Sequence, residues 1–387
     1  MDFIPYGRQD INQTDIDSVV SVLNSDFLTQ GPMVPKFENA VSVHCGAKHS
    51  FAVNSATSAL HIACLALGLT EGDWLWTSPI TFVASANCAL YCGAQVDFVD
   101  IDPKTYNLSP EALEAKLIEA EKKGRLPKIV VPVHLCGQSC DMQAIHDLSI
   151  KYGFKIIEDA SHAIGGKYKD HYIGGCQYSD ITVLSFHPVK IITTAEGGML
   201  LTQNDHLAEK INLLRSHGIT RDTNQMEGDS HGPWYYEQID LGYNYRMTEL
   251  QASLGVTQMR RLDQFVTARH ERVKIYSELL KDVNVVSPYE DPDAYSAYHL
   301  YVIRLPEQSN VRKKRYDVFE SMRAAGIGVN VHYIPVYSQP YYQKHGFATA
   351  DFPEAEKYYA SAISLPLFPK LTREQQQHIV KTLVSCI

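Results

Sequence analysis

Along much of the chain, short apolar segments typical of buried strands alternate with segments of helical periodicity. The strand candidates are residues 51–53, 96–100, 128–133, 154–157, 181–184 and 198–202. The helix candidates are residues 14–23, capped by Thr14, residues 55–67, a segment that opens at Ser109-Pro110, and residues 142–152. Because a helix between two strands returns the chain to the same end of the sheet, such strands pair in parallel. The alternation therefore predicts an α/β fold with a largely parallel sheet.

A chain of 387 residues is long enough for two domains. We predict a large domain over residues 1–255 and a smaller C-terminal α+β domain over residues 256–387, on which the N-terminal segment could also pack. A helical pattern runs from Arg246 through Leu262, and residues 298–303 resemble a strand of the smaller domain. The polar residues 220–240, which include Trp234, are long for a loop in a compact chain and predict a lid or a disordered segment.

The net charge of −9 and the lack of a run of five basic residues argue against a nucleic-acid-binding protein. An anionic ligand would therefore need a local site made of backbone amides and a few cations. The eight cysteines form no Cys-x-x-Cys pair, so we expect free thiols and no metal site. The start of the sequence lacks a secretory layout and no run of eighteen apolar residues occurs, so we expect a cytoplasmic protein that does not contact membranes.

Lys190 follows the strand candidate 181–184 and precedes the Gly197-Gly198 step. A lone lysine is most often a solvated surface residue. Burial, however, disfavours the ammonium form, lowers the lysine pKa and frees an amine that can attack a carbonyl. The cofactor matched to such a lysine is pyridoxal phosphate (PLP), which binds as a Schiff base.

Asp159 lies just past the strand candidate 154–157, at the edge where ligands bind in open α/β sheets. A carboxylate there would keep the pyridine nitrogen of PLP protonated, so that the ring can accept electrons. An aspartate at this position could instead cap a helix. The neighbouring Glu158 is the second candidate for the same role.

PLP also needs a phosphate site, a stacking side chain and a partner for its ring hydroxyl. Residues 54–60 are a turn of small residues before a helix, whose free N–H groups and dipole suit a phosphate, and Ser185 could add its hydroxyl. Phe82 is the candidate for stacking and His162 for the ring hydroxyl. Each of these features also has a structural explanation, as a helix cap, a core aromatic or a core histidine.

Taken in this order, these residues resemble the sugar-nucleotide aminotransferases of the DegT/DnrJ/EryC1/StrS family, which have PLP-dependent fold type I. The resemblance covers nearly the whole chain and includes residues 28–32, 132–138, 158–162, 242–247 and 331–335. Two positions depart from the family pattern: Ala195 stands where many relatives have glycine, and His162 where glutamine is frequent.

The resemblance implies a catalytic role for three residues. Lys190 would form the Schiff base and move the proton, Asp159 would hold the pyridine nitrogen, and His162 would contact the ring hydroxyl. Further similarity to the transaminases of pseudaminic acid biosynthesis implies the reaction. The amino group of L-glutamate would move to C4 of a UDP-4-keto-6-deoxy-N-acetylhexosamine.

The resemblance also assigns the binding residues. Ala56, Thr57 and Ser185 would hold the phosphate and Phe82 would stack on the ring. Asn244 would reach the phosphate of the partner subunit's cofactor, which implies a homodimer with shared active sites. The candidates for sugar-nucleotide contacts are Thr29, His332, Tyr333 and the lid around Trp234.

Several alternatives stay open or are disfavoured by the sequence. A related sugar dehydratase would carry histidine in place of Lys190, and a non-catalytic sugar-nucleotide binder would not need Lys190 and Asp159. A nicotinamide dehydrogenase is disfavoured because no Gly-x-Gly-x-x-Gly follows a predicted strand. Another UDP- or dTDP-linked 4-keto sugar would require only modest changes in the pocket.

Overall fold

The computed structural model describes residues 2–307 and 309–387. The helices are α1 (Gln13–Leu23), α2 (Met33–Cys45), α3 (Ala56–Ala66), α4 (Ala84–Tyr91), α5 (Pro110–Lys122), α6 (Met142–Tyr152), α7 (Asp205–Leu214), α8 (Glu249–Met259), α9 (Leu262–Leu280), α10 (Val311–Ala324), α11 (Pro340–Gln343), α12 (Pro353–Ser361) and α13 (Arg373–Cys386). The strands are β1 (His49–Val53), β2 (Trp74–Thr77), β3 (Gln95–Phe98), β4 (Ile129–Val131), β5 (Lys155–Asp159), β6 (Lys167–Tyr168), β7 (His171–Tyr172), β8 (Ile181–Ser185), β9 (Gly198–Thr202), β10 (Ile219–Thr220), β11 (Glu237–Gln238), β12 (Ala294–Tyr295), β13 (Tyr301–Arg304) and β14 (Ala362–Leu365).

A seven-stranded sheet forms the centre of the molecule, in the order β1-β9-β8-β5-β4-β2-β3. Five neighbouring strands from β8 to β3 pair in parallel, and only β9 runs antiparallel to both of its neighbours. Every residue of β4, β8 and β9 is buried, as expected when helices cover both faces of a sheet. The prediction of an α/β fold with a mostly parallel sheet is confirmed.

Local predictions were wrong at three places. Asn12, not Thr14, caps α1, because the Asn12 side chain accepts the Asp15 N–H and the Asp15 side chain accepts that of Asn12. The helix predicted from Arg246 through Leu262 is two helices, since the chain turns between Met259 and Leu262. The predicted strand 298–303 begins only at Tyr301, because Tyr298 has a φ of 47°, which a strand does not allow.

A separate apolar cluster joins β13 and β14 to α9, α10 and α13. The N-terminal segment contributes Ile4, whose N–H donates to the Gly326 carbonyl and whose carbonyl accepts the Gly328 N–H. The predicted domain division between residues 255 and 256 falls inside α8 and stays a prediction. None of the helices in the described ranges has the length and apolar character that crossing a bilayer requires.

Candidate active site

A cavity of about 690 Å³ lies at the carboxyl ends of the central strands. Ser55 follows β1, Asp159 ends β5 and Ser185 ends β8, so three strands place polar side chains at one edge of the sheet. Nine of the predicted site residues line this cavity: Ala56, Thr57, Phe82, Asp159, His162, Ser185, Lys190, His332 and Tyr333.

Lys190 projects into the cavity from the loop between β8 and β9. The loop is closed at its base, where the Phe186 N–H donates to the Gly197 carbonyl (2.9 Å) and the Thr194 N–H donates to the Phe186 carbonyl (3.0 Å). Burial lowers the pKa of Lys190 to about 8, although the charge of Asp159 acts in the opposite direction. A lysine in this state supplies a free amine near neutral pH, which is what carbonyl capture requires.

Asp159 is fixed by hydrogen bonds to both carboxylate oxygens. Oδ1 accepts from the amide (3.1 Å) and the hydroxyl (2.6 Å) of Ser161, and Oδ2 accepts from the Ser85 hydroxyl (2.6 Å). The carboxylate is buried at the cavity wall and cannot rotate without losing these donors. It can therefore present a fixed negative charge to a protonated ring nitrogen.

Glu158, the second candidate, faces away from the cavity because neighbouring residues of a strand point to opposite sides. Its carboxylate accepts from His134 Nε2 (2.8 Å) and from the Ser179 hydroxyl (2.5 Å). Burial alone would raise the pKa of Glu158, but hydrogen bonds from His134, Ser179 and Thr182 lower it below its ordinary value. Glu158 thus belongs to a closed network behind the sheet, and only Asp159 is placed to meet a ligand.

His162 presents a neutral imidazole to the cavity. Its Nδ1 accepts the Cys136 N–H (3.3 Å), which assigns the proton to Nε2, and Nε2 lies 3.1 Å from the Tyr333 hydroxyl. Burial, together with the charge of Lys190, lowers the pKa of His162 well below its ordinary value. The ring can therefore donate one hydrogen bond from Nε2 throughout the neutral pH range.

The N-terminus of α3 forms the phosphate site candidate. The Ser55 side chain caps the helix by accepting the Ser58 N–H (3.1 Å), and the first-turn N–H groups of a helix are free to bind an anion. Gly198 pairs with Val53, and a Cβ at Gly198 would lie 2.6 Å from the backbone of Ser55 and Ala56. Only glycine allows β9 to pass this close to the turn.

Burial raises the pKa of the Tyr333 hydroxyl, so the phenol keeps its proton. Burial and the charge of Lys190 lower the pKa of His332 to about 3, so its imidazole is neutral. Phe82, 59% exposed, lies beside Tyr333 with ring centroids 6.3 Å apart. An aromatic ring and two neutral polar groups thus line the same cavity as Asp159 and Lys190.

Three predicted residues lie outside the cavity formed by their own chain. Thr29 is exposed and pairs with Thr248, and Asn244 is exposed and pairs with Ser216. Trp234 is 73% exposed, on the segment between β10 and β11. The structure of one chain therefore does not bring these side chains to Lys190, and their roles stay predictions.

The residues that hold the site residues in place were not predicted from the sequence. Ser161 lies within the predicted segment 158–162 and Ser85 lies three residues after Phe82, but the contacts of both with Asp159 depend on the fold. His299 lines the cavity, with its ring centroid 4.4 Å from that of His162. Burial and the neighbouring His162 and Lys190 lower the pKa of His299 well below its ordinary value, so this ring is also neutral.

Arg269 holds the segment that carries His299. One guanidinium nitrogen, Nη1, donates to the carbonyls of Tyr298 (3.1 Å), His299 (3.2 Å) and Leu367 (3.1 Å). Arg269 lies on the buried face of α9 with Phe265 and is 1% exposed. A cation on the apolar face of a helix was the available signal, because such a residue must find buried acceptors.

In a comparison with known protein families, residues 9–384 match the DegT/DnrJ/EryC1/StrS aminotransferase family. The spore coat polysaccharide biosynthesis protein SpsC of Bacillus subtilis is 38% identical, over 98% of this chain and 96% of that protein. The UDP-4-amino-4,6-dideoxy-N-acetyl-beta-L-altrosamine transaminase of Campylobacter jejuni (serotype O:2) is 37% identical, over 99% and 97%.

The similar solved structures are also aminotransferases. PseC of Helicobacter pylori, an aminotransferase involved in the biosynthesis of pseudoaminic acid, superposes with a TM-score of 0.91 at 32% identity, over 99% of both chains. Other solved neighbours are in PLP and pyridoxamine phosphate forms. The predicted aminotransferase activity, the PLP cofactor and the fold of PLP-dependent aminotransferases are confirmed.

Proposed function

This chain belongs to the DegT/DnrJ/EryC1/StrS aminotransferase family, and we propose that it aminates C4 of UDP-2-acetamido-2,6-dideoxy-β-L-arabino-hex-4-ulose with L-glutamate as donor. The product would be UDP-4-amino-4,6-dideoxy-N-acetyl-β-L-altrosamine. The Campylobacter jejuni and Helicobacter pylori relatives, both alike over nearly the full length, support this choice of substrate. The observation that carries the catalytic part is Lys190, with its pKa near 8, in one cavity with the fixed carboxylate of Asp159.

The residues of the cavity fit PLP. The turn at Ser55–Thr57 offers free N–H groups and approaches Gly198 too closely for any side chain there, as a phosphate cradle requires. When bound, PLP supplies the carbonyl that the lysine amine captures and the ring that accepts electrons. Asp159 would hold the ring nitrogen, His162 would donate to the ring hydroxyl oxygen, and Phe82 would stack on the ring.

Lys190 moves the protons in the proposed reaction. Its Nζ removes the proton from the α-carbon of glutamate and later delivers a proton to C4 of the sugar. A base with a pKa near 8 is matched to this work near neutral pH, because it can both accept and release a proton. Since Lys190 reaches the cavity from one side, it delivers the proton to one face of C4 and sets the configuration of the new amine.

Tyr333 and His332 are proposed to contact the sugar, and both are neutral and face the cavity. No arginine is among the described residues that line the cavity, so the carboxylates of glutamate would be bound by neutral groups or by another subunit. Thr29 and Trp234 remain candidates for contacts with the sugar nucleotide, and Asn244 for the phosphate of the partner subunit's cofactor. Their exposure in one chain supports a homodimer in which Asn244 completes the partner's phosphate site.

A panel of UDP- and dTDP-linked 4-keto hexoses tests the substrate. The enzyme and glutamate are offered each sugar, and the product configuration at C4 is read by NMR. We expect turnover of the UDP-linked β-L-arabino 4-keto sugar with formation of the altrosamine product. Faster turnover of a D-configured or dTDP-linked 4-keto sugar would refute the proposed substrate and leave the aminotransferase activity intact.

A further inference from the structure

A second cavity, of about 470 Å³, adjoins the active site between α4 and α11. We call it the tyrosine groove. Its walls are formed by Val83, Asn87, Leu90, Tyr91, Gln339, Pro340, Tyr341 and Tyr342. Val83 and Gln339 also line the cavity that holds Lys190, so the groove and the active site are continuous. No charged side chain is among the described residues that line the groove.

We propose that the tyrosine groove binds the uracil base of the sugar nucleotide. The inference rests on the proposed function, which places the 4-keto group near Lys190 and so requires the nucleotide to extend away from the cofactor. An uncharged groove suits a neutral base and not a diphosphate, whose charge would have no cation to meet there. The shared wall at Val83 and Gln339 gives the extended substrate one continuous path.

The aromatic residues of the groove suit a flat ring. Tyr91 and Tyr341 are 52% and 58% exposed, although both belong to the groove wall, so their faces are available for stacking. Tyr342 is buried and forms the floor, where it packs edge-on against Phe98. Base–aromatic stacking is worth about 1–3 kcal/mol per base, which is enough to anchor the nucleotide.

Two amides supply hydrogen bonds at the base edge. The Asn87 Oδ1 accepts the Tyr342 hydroxyl (2.6 Å), and this contact fixes the amide so that its NH₂ group is left to donate. Uracil, like thymine, has a carbonyl acceptor at position 4, where cytosine has an amino donor. The donor at Asn87 therefore favours uracil over cytosine, and the Gln339 side chain is placed to contact the same ring.

The test measures binding of UDP and CDP to the PLP-loaded enzyme by titration calorimetry. We expect Tyr341→Ala to weaken UDP binding by about 5- to 150-fold, the range that corresponds to one lost stacking contact. Tyr341→Phe keeps the ring and should bind UDP as the wild type does. Tyr316→Ala, which removes a 64% exposed tyrosine on α10, is the matched control and should change nothing.

Asn87→Asp provides a second, independent readout. The carboxylate still accepts the Tyr342 hydroxyl but cannot donate to the base, so the preference should shift from UDP toward CDP. This shift compares two ligands on one variant and therefore does not depend on how much of the protein is folded. Bleaching of the bound cofactor's visible absorption by glutamate should be unchanged in every variant, since none of the three substituted residues lines the cavity that holds Lys190.

Three results of the binding experiments would overturn the inference. They are wild-type affinity for UDP in Tyr341→Ala, an unchanged ratio of UDP to CDP affinity in Asn87→Asp, and a wild-type enzyme that does not bind UDP. Dissociation of a dimer by Tyr341→Ala at unchanged UDP affinity would identify the groove as a subunit contact and also overturn it. The proposed amination fails separately, if the panel of 4-keto sugars gives no UDP-linked product.

Discussion

Two groups of predicted site residues differ in how the fold places them. Asp159, Ser185 and Lys190 lie at or just beyond the ends of buried strands, and all three line one cavity. Thr29, Trp234 and Asn244 lie on exposed segments and line no part of that cavity. A single chain therefore gathers the first group around one cavity, whereas the roles proposed for the second group require a contact with another chain.

The residues at the strand ends (Asp159, Ser185 and Lys190), which we call the strand-end group, should be indispensable to the chemistry. We expect Lys190→Ala to reduce turnover at least 10²- to 10⁴-fold, since loss of general acid–base catalysis alone has about that effect. Cofactor affinity, measured by equilibrium dialysis, should fall less, because the phosphate site stays intact. Turnover within tenfold of the wild type would show that Lys190 is not the catalytic amine.

Asp159 and Glu158 form a matched pair on one strand. Asp159→Asn should reduce turnover about 10- to 150-fold, because hydrogen bonds to charged groups are worth about 1.5–3 kcal/mol. Glu158→Gln should leave turnover within about threefold and lower the free energy of unfolding by about 1–3 kcal/mol, because it disturbs a buried hydrogen-bond network. The opposite pattern, read by steady-state kinetics and urea unfolding, would exchange the two roles.

The lowered pKa of Lys190 predicts how the apoenzyme captures PLP at different pH values. Only the free amine attacks the aldehyde, so the capture rate should fall about tenfold per pH unit below about pH 8 and level off above it. Stopped-flow absorption gives the rate, and borohydride reduction with peptide mass spectrometry shows that the label is on Lys190. A rate that continues to rise toward pH 10 would indicate an ordinary, solvated lysine.

The exposed residues Thr29, Trp234 and Asn244 form the outer group, and Asn244 can be tested for a role in the partner subunit's active site. If Asn244 acts across a dimer, a mixture of inactive Lys190→Ala with weakened Asn244→Ala chains should regain activity, because each mixed dimer contains one intact site. We expect Asn244→Ala alone to lose about tenfold, as for one hydrogen bond to a charged phosphate. No gain on mixing, with subunit exchange verified by native mass spectrometry, would place Asn244 outside the partner's site.

Trp234→Ala should have the smallest effect. We expect the KM for the sugar nucleotide to rise about threefold to tenfold, consistent with loss of one partly exposed contact, and the half-reaction with glutamate to be unchanged. A change in the glutamate half-reaction would instead move Trp234 to the donor side. Tyr236→Ala, on the same segment and 51% exposed, is the matched control.

The sequence predicted the strand-end group because its signals are local. Lys190 follows β8, Asp159 ends β5 and a turn of small residues precedes α3, and each of these can be identified within a few residues of sequence. The residues that hold the site residues in place, such as Ser85 and Arg269, were not predictable from local sequence. Ser85 meets Asp159 across 74 positions of the chain, and Arg269 meets His299 across 30.

Secondary structure, too, was predictable where local signals determine it and not where contacts distant in sequence do. Residues 142–152 and 198–202 were predicted with the observed bounds, since apolar periodicity and clear stop signals coincide there. The break between α8 and α9 was missed because the pattern of apolar residues continues through it. What stabilises the break is tertiary: Arg261 donates to the Asp10 side chain (3.0 Å), and its second guanidinium nitrogen pairs with Asp15 (2.5 Å).

The contact of Arg269 with the Leu367 carbonyl has a consequence for biosynthesis. The wall that carries His299 is complete only when Leu367, 98 positions after Arg269, has been synthesised and packs against α9. A nascent polypeptide that already contains Lys190 and the phosphate turn thus lacks one side of its pocket. We therefore expect stable coenzyme binding to require the segment up to this carbonyl, and truncation before it to give a protein without the visible absorption of bound PLP.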